Sequence, residues 1–422
     1  MADSANWDWG TGEKLISDLD EWKSSFNWVE EPYVSPDGEQ IASIVNVDEA
    51  EFNVCVNGEV WREDIYDKAW HLRYTPDGRL TALVNENDEW TVAVDGESWE
   101  NTFDYAWNPI FSKDGGTIAV SFQKDGEYGM ARNDAPWEEL FANLNCPELS
   151  PDGTKTAATV QIEDLGSADI FKFQDGVFTA ADDGTPWDSK FVNVWWKSFN
   201  HDGSKLAAEI RLNLYDYTIA VNGEPWAKTF ASVWKPIFRP GTDSVVAPVK
   251  AAGKWTIAED GNIIWDKGFV QLWQQMFSPD GKKIAAIVAP SFGRWTVAVD
   301  GIAWSATIGD MITEMVFSPD SSKVAAIALE DEKWTLIVNG SLWQDTYDMA
   351  YQPVFSPDSQ MVAAKVEKNK KFTFAINGKT WNQKFDYVWD PVFSPDGKNI
   401  LARTVEDGKY YRRVIPVNEM IG

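Results

Sequence analysis

The sequence predicts an all-β protein, a single closed β-propeller of about ten four-stranded blades, with the last blade completed by an N-terminal strand. Three observations predict this. A Ser-Pro-Asp-Gly corner or a close variant returns along the whole chain, an Asn-Gly or Asp-Gly turn follows most corners, and tryptophan recurs at set distances from these turns.

The corner is the stronger signal. Its second positions are Pro36, Pro76, Lys113, Pro151, His201, Pro240, Pro279, Pro319, Pro357 and Pro395, spaced 37 to 40 residues apart except for one gap of 50. Proline presets φ, aspartate suits the next turn position, and glycine supplies a left-handed residue. Short apolar segments flank it, NPIFS before and IAAIV or KLAAEI after, which makes each corner a β-hairpin. The second turn is Asn57-Gly58, Asp95-Gly96, Asn222-Gly223, Asp300-Gly301, Asn339-Gly340 or Asn377-Gly378, the preferred type I′ hairpin sequence. Charged links such as NENDE, EDEK and EKNKK join the hairpins. Two hairpins per repeat make four antiparallel strands, the blade of a propeller. In the long repeat, 168–176 (ADIFKFQDG) reads as an inserted hairpin.

Closure follows from the ends. The last repeat, 390–422, has three strands and stops, while LDEWKSSFNW near the N-terminus resembles the fourth strand of other repeats. The expected organisation is therefore one domain over 1–422. It has a tail at 1–17, a closing strand at 18–28, nine blades over 29–389 and the last blade at 390–422. Closing the ring removes exposed sheet edges. Two five-bladed rings are the alternative.

The 24 tryptophans sort by repeat position. One set lies just beyond the second turn: Trp61, Trp99, Trp137, Trp187, Trp226, Trp265, Trp304, Trp343 and Trp381, with Trp22 as its tenth member. A second set opens the third strand at Trp90, Trp255, Trp295 and Trp334, replaced elsewhere by Phe52, Tyr128, Phe178, Tyr217 and Phe372. A third set precedes the corner, at Trp70, Trp107, Trp195, Trp234, Trp273 and Trp389, with Tyr351 alongside. Trp7, Trp9, Trp28 and Trp196 fall outside the pattern. Each buried indole removes on the order of 200 Å² from water, roughly 5 kcal/mol gross, so packing between blades accounts for the first two sets. The third set leads toward one face of the ring and provides the candidate partner-contact aromatics.

A formal charge of −29 opposes binding to nucleic acid or to an anionic membrane surface, and is compatible with a basic protein partner. No basic-then-apolar leader and no apolar run of membrane-spanning length is present, so a cytoplasmic chain without direct membrane insertion is expected. Cys55 and Cys146 are the only cysteines, too few for a disulfide framework.

Motifs for chemistry are missing. The sequence has no phosphate-binding loop, no dinucleotide fingerprint, no Gly-x-Ser-x-Gly elbow and no Cys-x-x-Cys. His201 takes the place of a corner proline, and His71 follows Trp70 at a strand start. Cys55 replaces the alanine of sister repeats, and nothing beside Cys146 would activate its thiol. The acidic pairs Glu30-Glu31, Asp48-Glu49 and Glu138-Glu139 read as a solvated rim. No catalytic, cofactor-binding or metal-binding residue is assigned, and a non-enzymatic binding or scaffold protein is expected.

Repeats such as PVFSPDGKNILART resemble WD-repeat-like and TolB-type propeller repeats, a resemblance that specifies only the fold. The recurring W-x-P-x-F-S-P-D-G and W-T-x-A-V-[ND]-G-x-x-W patterns are also similar to the tryptophan-rich TmcD subunits of the Tmc transmembrane electron-transfer complexes of sulfate-reducing bacteria. That resemblance implies a cofactor-free scaffold. Its implied partners are an iron–sulfur subunit, a membrane cytochrome b and a multihaem cytochrome c, which would hold it at the inner face of the cell membrane. A carbohydrate- or peptide-binding propeller is the alternative function.

Overall fold

The structure, a computed structural model, describes residues 4–62, 65–166 and 169–422. Ten four-stranded antiparallel sheets follow one another in a ten-bladed β-propeller. They span 28–60, 68–98, 105–136, 144–186, 193–225, 237–263, 271–303, 311–342, 349–380 and 387–416, numbered here as blades 1 to 10. In blades 1, 9 and 10 the first strand is broken into two short pieces. The second and third strands are the sheet's buried centre, and apolar letters dominate them: Leu80, Ala82, Leu83, Val84, Val92 and Ala93 of blade 2 are each almost fully buried.

Both turns form as their residues dictate. At the corner, the serine hydroxyl donates to the aspartate two residues on, as in Ser278 Oγ to Asp280 Oδ1 at 2.6 Å. The same oxygen accepts from the amide five residues on, here Lys283 N at 2.9 Å. At the second turn, Asn339 (φ 47) and Gly340 (φ 80) take the two left-handed positions. The Asn339 Oδ1 also accepts from Val324 N at 2.8 Å, tying the hairpin to the start of the second strand. Asp95 does the same for Leu80, and Asp300 for Ile284.

The chain divides into two compact units. The first, 66–269, holds blades 2 to 6. Its long repeat carries no inserted hairpin: Ile170–Asp175 is a short α-helix. Asp169 caps it by accepting from Lys172 N, and Gly176 (φ 98) ends it. A capping aspartate directly before IFKFQD favours helix over strand. Ala168, which the hairpin reading included, lies outside the described residues.

The second unit contains blades 7 to 10, blade 1 and the closing strand. An N-terminal strand does complete blade 10, but it is Gly12–Asp18, paired antiparallel with Lys409–Pro416, and not 18–28. Leu19–Ser25 is instead an α-helix, because the Asp18 carboxylate caps it by accepting from Asp20 N. Trp22 still reaches the place its spacing indicated. Its indole is buried, donates to Ser17 Oγ at 3.0 Å and lies 3.5 Å from where a Cβ on Gly58 would stand. Blade 10 is bolted to blade 1 by Arg412 Nε donating to the Asp37 carbonyl at 2.8 Å and Tyr410 OH donating to the Gly38 carbonyl at 2.9 Å.

Candidate functional site: aromatic pairs on the first strands

Each long first strand carries an irregularity where the third aromatic set sits. Pairing with the second strand skips between Trp70 and Arg73, between Trp107 and Ile110, and between Trp273 and Met276. The residue after the aromatic takes the left-handed conformation in His71 (φ 53), Asn108 (φ 57) and Gln274 (φ 50). Such a bulge re-aims side chains out of the pleat. Trp70, Trp107, Trp195 and Trp273 therefore stand at a mid-strand bulge, while Tyr351 and Trp389 stand in the gap between the two pieces of a broken first strand.

There each ring meets a ring of the third strand. Trp70 lies 4.6 Å from Trp90, Trp107 6.0 Å from Tyr128, Trp195 6.0 Å from Tyr217 and Trp234 5.2 Å from Trp255. Trp273 pairs with Trp295 at 4.3 Å, Tyr351 with Phe372 at 6.4 Å and Trp389 with Tyr410 at 5.6 Å. All seven candidate aromatics thus share one environment, an aromatic pair spanning the second strand. Their outer faces differ: Trp70 is 40% exposed and Trp234 43%, while the other five are half-buried. Two adjacent rings widen the surface, Tyr105 beside Trp107 and Trp196 beside Trp195, 37% and 52% exposed.

The first two tryptophan sets behave as packing residues. Trp22, Trp90, Trp137, Trp255, Trp265 and Trp381 are buried and the rest half-buried. The physical role of the first set is specific. Trp137, Trp187, Trp226, Trp304 and Trp343 lie under the hairpin glycine of the next blade: the Cβ that Gly184 lacks would stand 3.2 Å from Trp137, and that of Gly340 3.2 Å from Trp304.

Sequence reasoning missed the charges beneath these aromatic pairs. Glu209, Lys365 and Arg403 share one register position in the second strands of blades 5, 9 and 10, where blade 7 has Ile287 and blade 8 Ile327. The signal was legible as one charged letter inside LAAEIR, VAAKVE and ILARTV. Lys365 is 4% exposed, with its ammonium 4.2 Å from the Tyr351 ring centroid, 4.9 Å from Phe372 and 4.1 Å from Tyr387. Burial pushes its pKa down. Arg403 donates to the Asp390 and Ser35 carbonyls at 2.8 and 3.2 Å. Glu209 is 6% exposed, and among the described residues its Oε2 has no hydrogen-bond partner. Burial raises its pKa to about 8.

Lys197, on the first strand of blade 5, is fully buried and donates to Thr159 Oγ1 at 2.8 Å and the Trp195 carbonyl at 3.2 Å. Burial pushes its pKa down to about 7, against the pull of Cys146 and Glu148. Cys55 is buried, its thiol pushed up to about 11, while Cys146 is half-buried at a bulge. His71 and His201 are exposed, the latter in its corner turn. Among the described residues, no group of three or more His, Cys, Asp or Glu is placed to hold a metal ion. Among the described residues, no helix is long and apolar enough to cross a membrane.

The fold defines the class, a β-propeller. No protein-family model matches the chain, and no curated protein does. Among solved structures, it is similar to a crystal structure of a eukaryotic initiation factor, with a TM-score of 0.50 and 13% identity over 78% of this chain and 90% of that one. That likeness is one of fold alone.

Proposed function

We propose that this chain is a non-catalytic scaffold or docking subunit of a membrane-associated electron-transfer complex, as its likeness to the TmcD subunits implies. It acts from the cytoplasmic side through protein contacts, with an iron–sulfur subunit, a membrane cytochrome b and a multihaem cytochrome c as its partners. The observation that carries the reading is the division of labour among the tryptophans. No tryptophan of the first two sets is exposed, whereas Trp70 and Trp234 of the third each pack on a third-strand ring and remain 40% and 43% exposed. Aromatic rings anchored in this way are the preferred centres of protein interfaces. The charge of −29 favours a basic partner face.

The test is purification of the tagged chain from its native cells, followed by a visible absorption spectrum and mass spectrometry. A haem- or iron–sulfur-bearing partner is expected, and the double variant Trp70→Ala/Trp234→Ala should lose it. A chain that comes out alone sinks the reading. The open indole faces favour one second reading, a carbohydrate- or peptide-binding propeller. Saturable binding of one glycan or peptide on an array, lost in the same double variant, would establish it.

A further inference from the structure

Blades 5 and 9 present the same frame with opposite charge. In blade 9 the frame is Tyr351 on the first strand and Phe372 on the third, with Tyr387 from blade 10 as a third wall, and the ammonium of Lys365 fills it. In blade 5 the corresponding pair is Trp195 and Tyr217, stacked at 6.0 Å with 15° between planes. Glu209 takes the register position of Lys365. It pairs with Ile219, two residues from Tyr217 on the same face of the sheet, and lies opposite the bulge that carries Trp195. Where blade 10 supplies Tyr387, blade 6 supplies the smaller Ser232. Phe230 and Phe385, two residues earlier in each blade, make the same bridge to the third strand, which fixes the correspondence.

Among the described residues, none supplies a hydrogen bond to the buried Oε2 of this carboxylate. Arg211, two residues along on the same face, leans over Tyr217 at 5.5 Å, but its guanidinium donates to the Asn213 and Leu214 carbonyls at 3.0 Å each. Lys197 is held by Thr159 and the Trp195 carbonyl, Lys235 lies 3.1 Å from Glu148, and Lys250 lies over Trp255 at 5.9 Å. A carboxylate oxygen left buried without a partner is costly, and the matched occupant is an organic cation that also profits from the ring faces.

We propose that the face of blade 5 is a cation-accepting site, in which Glu209 beneath the Trp195–Tyr217 pair receives the alkylammonium or guanidinium of a lysine or arginine from a basic protein partner. The site rests on the docking reading only in naming the source of that side chain. Blade 9 shows the finished arrangement, with the cation supplied in cis. Entry is past Trp195 and Ser232, both partly exposed. Near neutral pH the bound cation ionises Glu209, whose proton passes to the buffer.

Calorimetric titration of the full chain at pH 7, in two buffers of different ionisation enthalpy, tests this. The probes are n-butylammonium and n-butylguanidinium, with n-butanol as the neutral control. One saturable site per chain is expected for the cations, with proton release and no response to butanol. Glu209→Gln should weaken it at least about tenfold. Glu209→Lys, which supplies its own ammonium, should abolish binding and melt no lower than the parent. Absence of saturable binding, equal affinity in Glu209→Gln or equal binding of butanol each overturns the site. The probes need no partner, so a chain that co-purifies with a redox subunit yet ignores them sinks the site and leaves the docking reading standing. A chain that binds them but purifies alone does the reverse.

Discussion

Lys197 shows how one buried side chain ties this fold to pH. Its ammonium lies in a site closed to water and donates to the hydroxyl of Thr159 and the carbonyl of Trp195. Desolvation favours the neutral amine in the folded state, lowering the pKa from 10.5 to about 7. Between those values the unfolded chain binds a proton that the folded chain does not. Stability therefore rises with pH across that window, and is lost as pH falls through it toward 7. Lys197→Met removes the titrating group and keeps most of the side-chain volume. Its melting temperature should exceed that of the parent at pH 6 to 7, and the gap should close by about pH 10.5. A gap that does not change with pH would show that Lys197 keeps its charge in the fold.

Among the elements, the second hairpin and the corner hold the blades together by different means. The hairpin glycine serves two purposes at Gly340: it adopts φ 80, and its missing side chain makes room for Trp304 of the preceding blade. Gly340→Ala combines a left-handed alanine, about 1–2 kcal/mol, with a contact of 3.2 Å to the indole. Urea unfolding should show a lower midpoint with unchanged slope. An unchanged midpoint would mean that blade and indole do not meet as described. The corner works by hydrogen bonding. Ser318 Oγ is buried, donates to Asp320 at 2.6 Å and accepts from Lys323 N at 2.8 Å. Ser318→Ala strands that amide and should destabilise by about 1–3 kcal/mol in the same measurement.

At the scale of the whole molecule, the corners set the response to acid. The serine hydroxyls beside Asp114, Asp320, Asp358 and Asp396 hold these carboxyls below their usual range, and that beside Asp280 takes it down to about 2. Depressed carboxylate pKa values mean stability that is present above pH 3.8 and is lost as pH falls through the folded values. A melting temperature that declines between about pH 4 and 2 is expected, and a flat profile over that range would contradict it. The second molecular feature is closure. Deleting residues 1–18 removes the strand that covers the edge Lys409–Pro416. An uncovered edge templates pairing with other chains, so light scattering should reveal self-association at temperatures where the full chain stays monodisperse.

The ten blades were legible because turn chemistry is local. A Ser-Pro-Asp-Gly or Asn-Gly step encodes its own φ values and hydrogen bonds, so the repeat, the four-stranded unit and the N-terminal completion of the last blade follow from the letters. The packing role of Trp137 and Trp304 was legible for the same reason, through their constant distance from the turn. Local reading failed where two local codes compete. Asp18 and Asp169 act as helix caps beside aromatic patterns that read as strands, so the closing strand moved to Gly12–Asp18 and the insertion became helical. The aromatics of the candidate site were named by their spacing, but their surroundings lay beyond reach for another reason. Whether a ring of the third set is bare or covered, and whether the charge beneath it finds a partner, depends on strands of the same blade and its neighbour. Glu209 and Lys365 are single charged letters in like strands, yet one is caged by three rings and the other lacks a partner for its buried oxygen. The amino-acid sequence by itself determined the blade, because its information lies within a few bonds of each turn. The tertiary structure alone decided the surface, because burial is set by residues distant in the chain.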